Sequence, residues 1–145
     1  MLFLQQALFI AKRQVKTVLK RFVINNSIWR VITVPPDSEY LWDRTGNLTV
    51  ATTDPKEHCI FVSEAIYGDF LLRVLIHEIT HVVLWEYRII DKIHIYCFPE
   101  YRIPMEEEIC NILADYGRMV YETAYKVLGG KAIFTVPYEL ERLVG

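Results

Sequence analysis

Apolar positions recur most densely over residues 70–85, where Leu71, Leu72, Val74, Leu75, Ile76, Ile79, Val82, Val83 and Leu84 follow helical spacing and leave little polar face. No Gly or Pro falls within 69–98, so the pattern predicts a helix buried on nearly all sides. Residues 27–34, Ser-Ile-Trp-Arg-Val-Ile-Thr-Val, are rich in β-branched and aromatic side chains and stop at Pro35-Pro36, which predicts a strand. Two shorter strands are expected at 48–52 and 59–62, with turns at Gly46-Asn47 and at 53–56. Upstream, residues 1–22 set Lys12, Arg13, Lys16, Lys20 and Arg21 among Val15, Val18, Leu19 and Phe22, an amphipathic spacing that predicts a packing helix and also suits a membrane surface.

Between 87 and 104 the pattern is mixed. Ile93, Ile95, Tyr96 and Phe98 suggest extended structure, and Pro99 and Pro104 rule out one continuous helix. Helical spacing resumes over 105–128 through Ile109, Ile112, Leu113, Tyr116, Val120 and Tyr121. Pro104 suits its start, Glu106, Glu107 and Glu108 complement the dipole of a first turn, and Gly129-Gly130 ends it. Residues 132–136 read as a short extended piece and 137–143 as a closing helical turn. The expectation is one α+β domain over residues 1–145, with a small mixed or antiparallel sheet packed on the helix of 70–85 and on the later, glutamate-bearing helix.

At 145 residues the chain can bury a core without disulfides. A net charge of -2 and no long basic run give no electrostatic footprint for nucleic acid. Cys59, Cys97 and Cys110 form no C-x-x-C pair and read as reduced thiols of a cytoplasmic protein. The N-terminal apolar run has no basic residue before it and no small-residue cleavage site after it, and Gln5-Gln6 interrupts it; neither a secretory signal nor a transmembrane segment is expected.

The chemistry lies inside the helix of 70–85, in the string His77-Glu78-Ile79-Thr80-His81. Residues four apart share one helix face, so both imidazoles can grip one Zn²⁺, and Glu78 beside the first can accept a proton from activated water. Catalytic zinc usually takes a third protein ligand. In the extended H-E-x-x-H-x-x-G-x-x-H form, glycine and histidine would stand where this chain has Leu84 and Tyr87, which excludes that form. A carboxylate from the later helix is the alternative, and Glu106, Glu107 and Glu108 are the densest acidic cluster there.

Leu75-Ile76-His77-Glu78-Ile79-Thr80-His81, followed by Glu107-Glu108-Ile109-Cys110-Asn111-Ile112-Leu113-Ala114, resembles the small gluzincins, especially prophage-associated and ImmA/IrrE-type zinc metallopeptidases. The resemblance covers roughly residues 52–120. It implies a zincin-like fold, Glu107 as the third ligand, and Asn111 as a partner that orients a metal-bound histidine. It also implies that the strand at 59–62 is an edge to which an extended peptide could pair. Where the larger gluzincins have Asp, this chain has Asn111, a weaker partner for an imidazole N–H.

The expected activity is therefore hydrolysis of a peptide or protein substrate, with His77, His81 and Glu107 on zinc and Glu78 as general base. Glu106 and Glu108 remain rivals for the ligand. Tyr87, Tyr96, Tyr101 and Tyr116 are equal candidates for stabilising an oxyanion, and His58 and His94 read as structural or surface imidazoles. The alternative function is a non-catalytic metal-binding domain serving a regulatory protein partner.

Overall fold

The computed structural model describes residues 17–129. The elements expected over 1–16, 132–136 and 137–143 lie outside the described residues. Four strands, β1 (Thr17–Ile24), β2 (Ser27–Val34), β3 (Ala51–Asp54) and β4 (Cys59–Ser63), form one sheet in the order β1-β2-β4-β3. The outer pairs are antiparallel and the central β2–β4 pair is parallel, so the sheet is mixed. α1 (Gly68–Glu86) lies against it, α2 (Ile89–Tyr96) and α3 (Arg102–Ile112) pack on α1, and α4 (Arg118–Leu128) follows α3 through the turn at 113–117. The architecture is α+β.

Residues 17–22 are strand where a helix was expected. Asn25 and Asn26 explain it, because both take positive φ, 49° and 64°. That left-handed pair closes a two-residue hairpin, and asparagine tolerates it better than most residues. Once β1 returns along β2, its side chains alternate: Phe22 and Ile24 pack on the core while Val23 stays exposed. The same residues satisfy a helical spacing on paper, and the partner strand decides between the two periods.

The strand expected at 48–52 begins later, at Ala51, and extends through Asp54. Residues before it serve the loop instead: Thr49 N–H donates to Leu41 O at 2.9 Å, and Trp42 and Leu48 form an isolated bridge. The strand at 59–62 is found, but as an interior strand with every residue of Cys59–Ser63 buried. The edge expected there belongs to β3, which pairs only with β4.

Extended structure was expected around residues 93–98, yet residues 89–96 form α2. Ile89, Ile90 and Ile93 lie about one turn apart and close a small core with Leu84, Ile109 and Cys110. α3 starts at Arg102, three residues earlier than expected. Pro104 then sits in the first turn, where its missing N–H has no intrahelical partner to lose. Glu106 and Glu107 consequently fall beyond the first turn, and the dipole argument for them lapses. A π-helical turn over Leu113–Gly117 joins α3 to α4, and Gly129, at φ 57°, ends the run.

The sheet buries both faces. Trp29, Val31, Ile60 and Val62 meet Val74 and Val82 of α1, while Ile32, Val34, Cys59 and Phe61 cover the other face with Leu41. A side chain buried as fully as Ile60 contributes about 2 kcal/mol. α1 is less enclosed than its sequence suggested: Phe70, Leu72 and Trp85 stay exposed, because the sheet covers only one side. Among the described residues, no helix is long and apolar enough to cross a membrane.

Candidate metal centre

α1 stacks His77 and His81 one turn apart, and α3 packs across it with Glu107, Cys110 and Asn111 at the spacing of a single face. The two Nε2 atoms lie 3.1 Å apart. Glu107 Oε2 is 3.1 Å from His77 Nε2, and its Oε1 is 3.5 Å from His81 Nε2. Ligands of a tetrahedral zinc, at about 2.0–2.1 Å from the ion, stand about 3.3 Å from one another. The three side chains therefore converge at the spacing one small ion requires.

The outer ring nitrogens are tied off. His77 Nδ1 meets Asn111 Oδ1 at 3.0 Å, and His81 Nδ1 meets Glu106 Oε1 at 2.7 Å. Each acceptor selects the tautomer with its proton on Nδ1, which turns the Nε2 lone pair inward. Arg44 braces the carboxylates from outside, with Nη1 2.9 Å from Glu106 Oε2 and Nη2 3.2 Å from Glu107 Oε1. Arg44 is held in a tight turn: Asp43 Oδ1 accepts from the N–H groups of Thr45 and Asn47 at 2.8 and 3.0 Å, and Gly46 takes φ 81°.

These contacts set the charge states. Burial alone would raise the pKa of Glu106, but His81 and Arg44 hold it below the ordinary carboxylate range. The bonds from His77 and His81 push Glu107 down further, against burial. Burial works against a charged His81, yet Cys110, Glu106 and Glu107 together push its pKa up to about 12. A proton on His81 and a metal ion compete for the same group.

Glu78 is 7 % exposed, and Thr53 Oγ1 of β3 donates to its Oε2 at 2.6 Å. Burial, the largest influence, raises its pKa, while Thr53 and the two histidines act in the opposite sense. A carboxylate destabilised in this way is a better proton acceptor than one in water.

Glu108 points outward, exposed, while Glu106 meets the outer nitrogen of His81 and Glu107 meets the inner ones. Tyr87, Tyr96, Tyr101 and Tyr116 are all more than half exposed, and none lines the cavity described below. His58 stacks on Trp29 at 4.7 Å, at the far end of α1. Two residues escaped the sequence reading, Arg44 and Thr53, and a third, Cys110, was read there as a reduced thiol. Buried Cys110 forms, with His77 and His81, a group that could hold a metal ion, its ligand atoms within 4.8 Å of one another. No motif marks Arg44 or Thr53, because only the sheet and the 43–47 turn bring them to α1.

A cavity of about 750 Å³ opens beside the centre and shares Arg44, Thr53, His81 and Glu106 with it. No family model, curated protein or solved structure matches the chain.

Proposed function

We propose that the chain is a zinc-dependent hydrolase, a metallopeptidase of zincin-like build. The observation that carries the reading is the convergence of His77 Nε2, His81 Nε2 and the Glu107 carboxylate, its Oε2 3.1 Å from the first nitrogen and its Oε1 3.5 Å from the second, with both outer ring nitrogens bound to acceptors. Two imidazoles and a carboxylate suit zinc by ligand type. Bound there, zinc supplies a Lewis acid that polarises a peptide carbonyl and makes water a nucleophile near neutral pH.

The chain's own residues handle the proton and the alignment. Glu78 takes the proton of the attacking water and returns it to the leaving amine, a two-way transfer suited to a carboxyl of raised pKa. Thr53 holds Glu78 Oε2 in place. Thr53 also lies on β3, which among the described residues pairs only with β4 and so leaves a strand edge beside the general base for an extended peptide. Glu106 and Asn111 orient the histidines, and Arg44 keeps both carboxylates in register.

Metal content by mass spectrometry, on protein purified without a metal-affinity tag, tests the ligand set. The expected result is about one zinc per chain, lost in His81→Ala and Glu107→Ala and kept in Glu78→Gln. Full zinc in Glu107→Ala breaks the assignment.

A second reading has its own support in Cys110. If its thiolate joins the histidines, four protein ligands close the site, which suits a structural or regulatory role for a protein partner. Cobalt substitution separates the two, because a thiolate–cobalt band near the ultraviolet that Cys110→Ser abolishes belongs only to the closed site.

A further inference from the structure

We propose that the cavity beside the metal centre is a recognition pocket for a peptide carboxylate carried on an apolar body, with Arg102 as the group that receives the charge. The proposal deepens the metallopeptidase reading by naming a substrate class, and it rests on that reading for its biological sense.

The walls are apolar. Tyr40, Trp42, Trp85, Ile90 and Ile103 contribute, and Trp42 and Trp85 are each about half exposed, open to an incoming side chain. Arg102, the first residue of α3, lines the same cavity. Its Nε is shut off from solvent without a hydrogen-bond partner, and its Nη2 makes only a long contact, 3.4 Å, to His94 O. Among the described residues, no carboxylate forms an ion pair with Arg102. A half-buried guanidinium with unused donors is costly unless an anion completes it, and a carboxylate does so with two parallel bonds.

The other charges around the pocket are already committed or peripheral. Arg44 is held by Glu106 and Glu107. Asp43 accepts from Thr45 and Asn47, and Asp54 accepts from the N–H groups of Lys56 and Glu57. Glu39 stands exposed in a short 3₁₀ turn at the rim. His81 and Glu106 satisfy each other at 2.7 Å. Of the two arginines in the lining, Arg102 is thus the one that no carboxylate of the described residues pairs, with the backbone oxygen of His94, another lining residue, as its one hydrogen-bond partner there. A carboxylate reaches such a pocket either as an acidic side chain or as the C-terminal carboxylate of the peptide.

Tryptophan fluorescence of the full chain, titrated with two matched pairs of probes, tests the proposal. N-acetylphenylalanine against its amide reads the terminal carboxylate, and N-acetylglutamic acid α-amide against N-acetylglutamine amide reads the acidic side chain. In at least one pair the acid should bind about tenfold tighter than the neutral partner, and that pair identifies the source. Arg102→Leu should erase the preference while leaving the neutral probe's affinity in place; Arg102→Lys should keep part of it. No acid preference in either pair, or one undiminished in Arg102→Leu, overturns the proposal. Should Arg102→Leu lose the neutral probe as well, Arg102→Lys decides, since an undiminished preference there also overturns it. Zinc measured on the same samples keeps the two ideas apart: a pocket that fails with zinc present leaves the metal reading standing, and a carboxylate preference without zinc leaves the pocket standing.

Discussion

Glu78 and Glu86 stand about two turns apart on α1, both with side chains largely withdrawn from water, and they are treated in opposite ways. The Glu86 carboxylate accepts from Trp29 Nε1–H at 2.7 Å and from Ser27 Oγ–H at 3.0 Å, His58 Nε2 lies 4.0 Å away, and Asn25 donates to its backbone oxygen. It pins the end of α1 to the β1–β2 hairpin. Glu78 receives one hydroxyl, from Thr53, and keeps a raised pKa. The carboxylate that ties structure together accepts hydrogen bonds on both oxygens, whereas the one proposed as general base is left partly unsatisfied.

Substitutions at the two ends of this contrast can break it. Glu78→Gln should lower peptide hydrolysis about a thousandfold while zinc content stays unchanged; full activity in that variant removes the general-base role. Glu86→Ala should leave zinc content intact but cost about 2–3 kcal/mol in urea unfolding, because the Trp29 N–H and the Ser27 hydroxyl lose their acceptor inside the structure. A stability within 0.5 kcal/mol of the parent, roughly the scatter of neutral surface changes, denies the staple.

Smaller effects sharpen the contrast around the metal. Asn111→Ala should weaken zinc about ten- to a hundredfold in competition with a chromophoric chelator, by freeing His77 Nδ1. Zinc affinity should fall as the pH drops, by about tenfold per unit for one displaced proton, since His81 holds its proton up to about 12 and must release it to the ion. A pH-independent affinity excludes His81 as a ligand. The smallest change is expected of Thr53→Val. Hydrolysis needs Glu78 ionised and is lost as pH falls through its pKa; removing the Thr53 donor raises that pKa further, so the acid limb should move to higher pH by about one unit or less. A limb that moves downward contradicts the assigned role of Thr53.

Legibility in the sequence followed the range of the interactions. His77, Glu78 and His81 were readable because helix spacing alone puts them together, whereas Glu107 and Asn111 came only from the resemblance to gluzincins, and the sequence itself left Glu106 and Glu108 as rivals. β2 and β4 were readable from β-branched runs bounded by turns. β1 was not, since its alternation is weak and the deciding signal, Asn25-Asn26, is a turn whose meaning depends on the partner strand. α2 was missed because Ile89, Ile90 and Ile93 favour strands locally and become helical by packing on Leu84 and Cys110. Arg44, Thr53 and Cys110 act through contacts made only in three dimensions. The strand at 59–62, taken as an edge through the resemblance to gluzincins, is interior, and among the described residues the edge on that side is β3.

The π turn over Leu113–Gly117 also works as a phase shifter. A π turn behaves as one extra residue spliced into a helix, and each residue advances the winding by about 100°. Everything after it is rotated against everything before it: Glu106, Glu107 and Asn111 keep their aim at α1, while the register of α4 is set separately. Arg73 of α1 grips Asp115 inside that turn at 2.7 Å, so the splice is clamped to the motif helix. Insertions or deletions beyond Gly117 should therefore re-aim α4 without turning the glutamate of α3 away from the histidines.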